Sequence, residues 1–507
     1  MTNIIEKKQI QNKKEQLSRW LKIISQENNI NSKFDPLLHA VASFSQKIEE
    51  SSYKQLQQLR QQQLARYFPF FLKPTFSKCI GQFQTPHHFT EEIPIYRHEL
   101  IKGIITNNKD ILFKPLSSWN IYPLTLEHSH FDSMLNTLSF SIKLNNHMQY
   151  KWQNLPIYIH TPNEISNSFL LRQQLIQSLN NNVEFISQGE VIATHPVTIQ
   201  PYHFNGGHPI ERIKDYLNFP ELSNFINIYF NQLPTFEIDR IKINIKLNQQ
   251  NKNNISSTLS QAFYINTIPF TNTSSEHALP IDVQGFRETY PIIHPNIQGK
   301  FQLSAIKKTY YKEHGKTIDL LPKHLTADNL PSYELIQQFT GKGYSELRFH
   351  FSENLIQPRT VFIDADWFQL DHFHISDLKL SFYNRSEDYF KIKPISSQPT
   401  ILSNERLKVA ELIELANIKN HRIIKYDDLK LIISSLVPKH SIFHKAIQHI
   451  ENISVINNNN FYNYSIETFS LIPEQKVVLK ILLSHIQCIL QQLLPVGSQI
   501  KLSLKSN

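Results

Sequence analysis

Glycine is scarce in this chain: 11 of 507 residues, against an average usage of about 7%. That scarcity argues against the glycine-rich loops by which nucleotide-binding proteins bring backbone amides up to phosphates. Cysteine is scarcer still. Cys79 and Cys488 lie near opposite ends of the sequence, and two reduced, buried thiols in a reducing compartment account for them better than one long-range disulfide. No apolar run approaches the ~18 residues of a membrane span, and the first residues, MTNIIEKKQIQNKKEQ, lack the apolar core of a secretory signal. A cytoplasmic protein is the expectation. Clustered charge of one sign is also missing. Lys and Arg number 52 against 43 Asp and Glu, a net +9, and they are dispersed. A solvated basic surface that meets an acidic protein partner explains this better than nucleic-acid binding. A G-x-S-x-G elbow, a P-loop and H-E-x-x-H are all absent.

What is present suits a packed globular protein of two to four domains, with 40% hydrophobic and 11% aromatic residues. The class expected is α+β: an N-terminal helical region, a central mainly antiparallel β part of sandwich or barrel type, and a C-terminal α/β or helical region. Residues 1–78 read as helical, 79–235 as a β-rich domain with an inserted helix, 236–400 as a second β-rich domain and 401–507 as a helical or mixed domain. Short runs such as SFSIKL at Ser139–Leu144 and FEIDRIKINIKL at Phe236–Leu247 alternate with the two-residue period of half-buried strands. The second run slips by one residue near Asp239, which suggests a bulge or a strand start. Asn-rich tracts at Asn248–Asn254 and Asn457–Asn460 mark loop tips.

The helical ends carry the most information. Asp35 caps and Pro36 opens a helix on which Leu37, Val41, Phe44 and Ile48 share one face. A second helix starts at Ser51 or Ser52, and Pro69 and Pro74 stop it before a strand holding Gln82-Phe83. Helices are expected at Ser166–Leu179, from Ser403 or Asn404 to Ala416, and from an Asp427 cap to a limit at Pro438. The last helix, Pro473 to Leu494, is broadly apolar, with Leu482, Ile486, Ile489 and Leu493 on its stripe. Such a face needs a large partner surface, either this chain's own core or another subunit. Leu37, Val41, Phe44, Ile48, Leu482, Ile486, Ile489 and Leu493 are therefore the candidate subunit-interface residues.

The order helix, Asp-Pro, apolar helix, Tyr-Phe-Pro, Phe-Leu-Lys-Pro and a Gln-Phe strand resembles the start of the TssF (VasA/ImpG) family of type VI secretion baseplate subunits. Tyr216-Leu-Asn-Phe-Pro-Glu221 with Phe225–Ile228, Phe263–Phe270 and Glu288–Ile293 are similar to later segments of that family, in its order. The family's Cys-Thr-Asn-Arg-Asp segment has no clean counterpart, Phe349–Asn354 being nearest, and the chain is shorter than typical members. A divergent or reduced member, such as a Francisella-type variant, fits those departures. The resemblance implies a non-enzymatic wedge subunit without a cofactor, two copies of which join one TssG-like subunit. Its further contacts would be TssE-like and TssK-like subunits, a VgrG-like spike and sheath proteins, at a baseplate docked on the inner-membrane complex.

One alternative carries chemistry. Asp364, Asp366 and Asp371-His-Phe-His374 could hold zinc or iron in a metal-dependent hydrolase. A surface strand and loop with solvated polar side chains is the competing account, because no third ligand has a defined spacing. His128-Ser-His130 and His87-His88 are weaker clusters, and the glycine pairs near 206 and 341 read as turns.

Overall fold

The computed structural model describes residues 15, 39–49, 51–52, 74–86, 88–105, 109–161, 164–204, 209–247, 262–326, 330–336, 345–351, 358–369, 375–383, 390–400, 409–418, 423–438, 441–458, 461–493 and 499–505. The chain is α+β, with several mainly antiparallel sheets at its centre. It divides into two units, 1–72 with 407–420, and 73–406 with 421–507. In the first unit the described elements are a helical segment at 39–49 and 51–52 and the helix Val409–Ile418.

The second unit is organised around a closed six-stranded antiparallel barrel. Its order is Lys78–Gln84, Thr267–Thr271, Lys109–Pro115, Ile101–Ile105, Lys379–Phe382 and Lys391–Gln398, the last pairing back with the first. Closure satisfies every strand edge, which an open sheet leaves exposed. The interior is so tight that two of the few glycines sit in it. A methyl group at Gly81 would lie 2.9 Å from Ile392 and 3.0 Å from Phe270, and one at Gly103 would lie 2.8 Å from Phe113. The barrel draws strands from both sides of the boundary expected at 235/236, so that boundary does not separate two sheets.

An antiparallel sheet of eight strands adjoins the barrel, in the order Phe263–Tyr264, Asn154–Ile159, Phe225–Phe230, Glu190–Pro201, Asn182–Ser187, Glu237–Lys246, Thr137–Gln149 and Leu124–Asp132. Alternate residues, among them Phe140, Ile142, Val183, Phe185, Ile241 and Ile243, form one buried core. The slip near Asp239 is a register shift between Ile238 and Arg240. A second large sheet centres on Arg359–Gln369, flanked by Ser274–His277 and Ile281–Val283 on one side and Phe301–Glu313 on the other.

The helices of this unit are α1 (Ile165–Ile176), α2 (Pro209–Asn218), α3 (Tyr426–Leu436), α4 (Ile442–Ile447) and α5 (Pro473–Leu493). Helix α3 starts one residue before the expected cap, because the Asp428 carboxylate accepts the Lys425 amide at 2.9 Å. Helix α5 links an antiparallel hairpin, Ile450–Asn458 with Phe461–Thr468, to a parallel third strand, Gln499–Lys505. The C-terminal region is therefore mixed α/β, and Asn457 and Asn458 sit at the tip of its hairpin.

Candidate interfaces and buried joints

The two apolar stripes singled out in the sequence meet opposite fates. In the N-terminal helical segment Val41, Phe44 and Ile48 are 46%, 67% and 49% exposed, whereas Ala42 and Gln46 are buried. Leu37 lies outside the described residues. On α5, Leu482, Ile486 and Ile489 are 0%, 1% and 0% exposed. They pack inside this chain, where α5 lies against α1, α2, α4 and the strand Gln499–Lys505. The account of the α5 stripe as a free interface is corrected for these three residues: its partner surface is the chain's own helices. The side chain of Leu493 falls outside the described set.

Three buried polar joints tie the pieces of the larger unit together. Asn266 stands between Phe263–Tyr264 of the eight-stranded sheet and Thr267–Thr271 of the barrel, with φ 53°, a left-handed conformation that Asn tolerates better than most residues. Its side chain donates to the Tyr122 carbonyl at 2.8 Å and accepts from the Tyr122 amide at 2.9 Å. Gln369 makes the equivalent joint to the second sheet. Its amide donates to the carbonyls of Asp110 (3.0 Å) and Gly299 (3.1 Å) and accepts from Leu112 N–H at 2.9 Å. Asn272 donates to the Gln369 carbonyl at 3.0 Å. The third joint is ionic: Lys78 on the first barrel strand, 0% exposed, meets Asp215 of α2 at 2.7 Å. Next to it, Asn218 donates to the Leu436 carbonyl at the end of α3, at 2.7 Å.

Beside that ion pair α1, α2 and α5 bring cationic and aromatic groups together. Tyr216 of α2 stacks on His485 of α5 at 5.1 Å, and Phe443 of α4 meets the same imidazole edge-on at 6.4 Å. The Tyr216 hydroxyl accepts from Phe204 N–H at 3.4 Å, while Arg212 donates to the Phe204 carbonyl at 3.2 Å. Burial, then the charges of Arg172 and His203, push the His485 imidazole down to about 4. Burial likewise lowers Arg172 to about 10. The Cys79 thiol is raised by burial and is inert as a nucleophile, whereas Cys488, expected to be buried, is exposed on α5.

The metal-binding alternative finds its described members engaged elsewhere. Asp366 pairs with Lys307 at 3.0 Å and accepts from Ser275, and Asp364 meets His277 at 2.5 Å. Asp371, His372 and His374 lie outside the described residues, as does His87. Among the described residues no group of three or more His, Cys, Asp or Glu side chains could hold a metal ion. His128 and His130 are exposed on the edge strand Leu124–Asp132. A shallow groove beside Tyr290 and His350 is crossed by Arg348, which pairs with Glu288 and Glu334.

No protein-family model matches the sequence, and no curated protein matches it either. The fold does have a solved counterpart. A chain of the type VI secretion system TssK-TssF-TssG baseplate subcomplex, determined by cryo-electron microscopy, superposes with a TM-score of 0.73 at 11% identity. The match covers 93% of this chain and 96% of that one. The two share a fold over that length.

Proposed function

We propose that this chain is a TssF-like structural component of a type VI secretion baseplate, acting as a wedge subunit and not as an enzyme. The observation that carries the reading is the fold shared over 93% of this chain and 96% of a baseplate-subcomplex chain. A partial, single-domain likeness would be compatible with many functions. A likeness over almost the whole of a multi-sheet chain is a more specific support for a shared role. The residues fit the role: Asn266, Gln369 and Lys78 serve joints within the larger unit, and Asp364 and Asp366 are engaged by His277 and Lys307.

In this reading the partners are TssG-like and TssK-like subunits, with TssE-like, spike and sheath contacts beyond them, and two copies of this chain serve each wedge. Among the described residues no helix is long and apolar enough to cross a membrane, which fits peripheral docking on an inner-membrane complex. Val41, Phe44 and Ile48 supply an interface of the kind that permanent assemblies bury, typically about 2,000 Å² or more. The wedge works mechanically, by holding one arrangement of packed surfaces until contraction selects another. Affinity isolation of the tagged chain from its native cell, followed by identification of co-eluting proteins, tests the proposal. Recovery of a smaller wedge subunit and an adaptor is the expected result. Recovery of no baseplate, sheath or spike component under conditions that preserve the machine overturns it.

A further inference from the structure

The contact between α1, α2 and α5 gathers cationic groups around a buried imidazole nitrogen. Arg172 of α1 has its Nε buried without a hydrogen-bond partner, and Nε2 of His485 is in the same condition. Arg172 and His203 both lie close enough to His485 to act on its protonation, and Arg172 and Arg212 both act on His203. Arg212 uses one nitrogen on the Phe204 carbonyl at 3.2 Å, which leaves most of its five donors for another acceptor. The adjacent carboxylate, Asp215, is held by Lys78 at 2.7 Å on the barrel side of α2. Glu211, one turn earlier, has interactions of its own. His203 is exposed.

Two guanidinium groups and two imidazoles thus come from four separate stretches of chain. A guanidinium whose Nε is buried without a partner, as in half-buried Arg172, is costly unless an acceptor completes it. Arg offers a planar fork matched to the oxygens of carboxylate or phosphate. We propose that Arg172, Arg212, His203 and His485 form a binding site for a single oxyanion, which clamps α1 and α2 onto α5. The stacked Tyr216 and the edge-on Phe443 fix the His485 ring, so that its buried nitrogen donates to the bound anion once protonated. Loading the site would therefore stabilise the imidazolium and raise the pH at which His485 titrates. The inference is independent of the baseplate reading, since it rests on the charges of this contact alone.

The full-length chain with histidine ring carbons labelled is titrated with inorganic phosphate and, separately, with acetate. Saturable binding should move the His485 resonance and raise its titration midpoint. Arg172→Gln and Arg212→Gln should each weaken binding at least tenfold, while Arg287→Gln, in the loop between Ile281–Val283 and Tyr290–Pro291, leaves it unchanged. Two variants on different helices guard against loss through misfolding of one, and the circular dichroism of each must match the parent. Binding of phosphate alone identifies free phosphate as the ligand. Binding of acetate as well identifies a carboxylate, such as an acidic side chain of a partner. Either result supports the site. Absence of saturable binding by both anions, or binding that survives both Arg substitutions, overturns it.

Discussion

The N-terminal stripe and the α5 stripe look alike as sequence and are opposites in the fold. Both repeat apolar residues at three- and four-residue spacing, as an amphipathic helix requires. Phe44 is nevertheless 67% exposed, whereas Leu482 is 0% exposed. The periodicity says which side of a helix seeks a partner and nothing about whether that partner lies in the same chain. Helix α5 is met by α1, α2, α4 and the strand Gln499–Lys505, while Val41, Phe44 and Ile48 are exposed.

This contrast can be broken by substitution. The largest effect is expected at α5: Leu482→Ala should cost about 2–5 kcal/mol of stability, the range for deleting a fully buried leucine, read from a denaturant midpoint at constant slope. Removing Lys78 should come next. Lys78→Ala leaves Asp215 without its cation and should cost about 3 kcal/mol, the lower end for breaking a buried pair because Asp215 is 31% exposed. Adding Asp215→Asn should restore part of that loss.

Acid should weaken the α5 contact by a similar amount. His485 titrates at about 4 when folded against an ordinary 6.5, so the unfolded chain binds its proton first. The stability linked to it is complete above pH 6.5 and declines as pH falls toward 4, by about 3 kcal/mol. In His485→Phe that part of the pH dependence should vanish, which thermal melts at a series of pH values would show. Gly81→Ala should cost about 1–3 kcal/mol by overpacking the barrel. The smallest effect on stability is expected at the exposed stripe. Phe44→Asp should stay within about 0.5 kcal/mol of the parent and still reduce recovery of partner subunits. A stability loss as large as that of Leu482→Ala would erase the contrast.

Local signals carried a good part of this fold. Pro473 does open α5, α3 ends at Leu436 ahead of Pro438, and the Asp239 slip is a true register shift. These depend on residues a few positions apart. Barrel closure was not legible, because it pairs Lys78–Gln84 with both Thr267–Thr271 and Lys391–Gln398, and no local pattern encodes a partner some 200 or 300 residues away. The alternation in Gln499–Lys505, QIKLSLK, did offer a strand signal that a focus on the preceding apolar helix obscured. The Asn266, Gln369 and Arg172 clusters had no signal at all. Each is made of single polar residues that become neighbours only after the sheets have formed or the helices have packed.

Native mass spectrometry of the tagged chain, gently isolated from its own cell, tests most directly the proposal that this molecule holds other chains in place. The predicted result is a complex of two copies of this chain with a smaller subunit, from which Phe44→Asp loses components. A lone, stable single chain from the same cells, under conditions that keep the secretion machine intact, would contradict it.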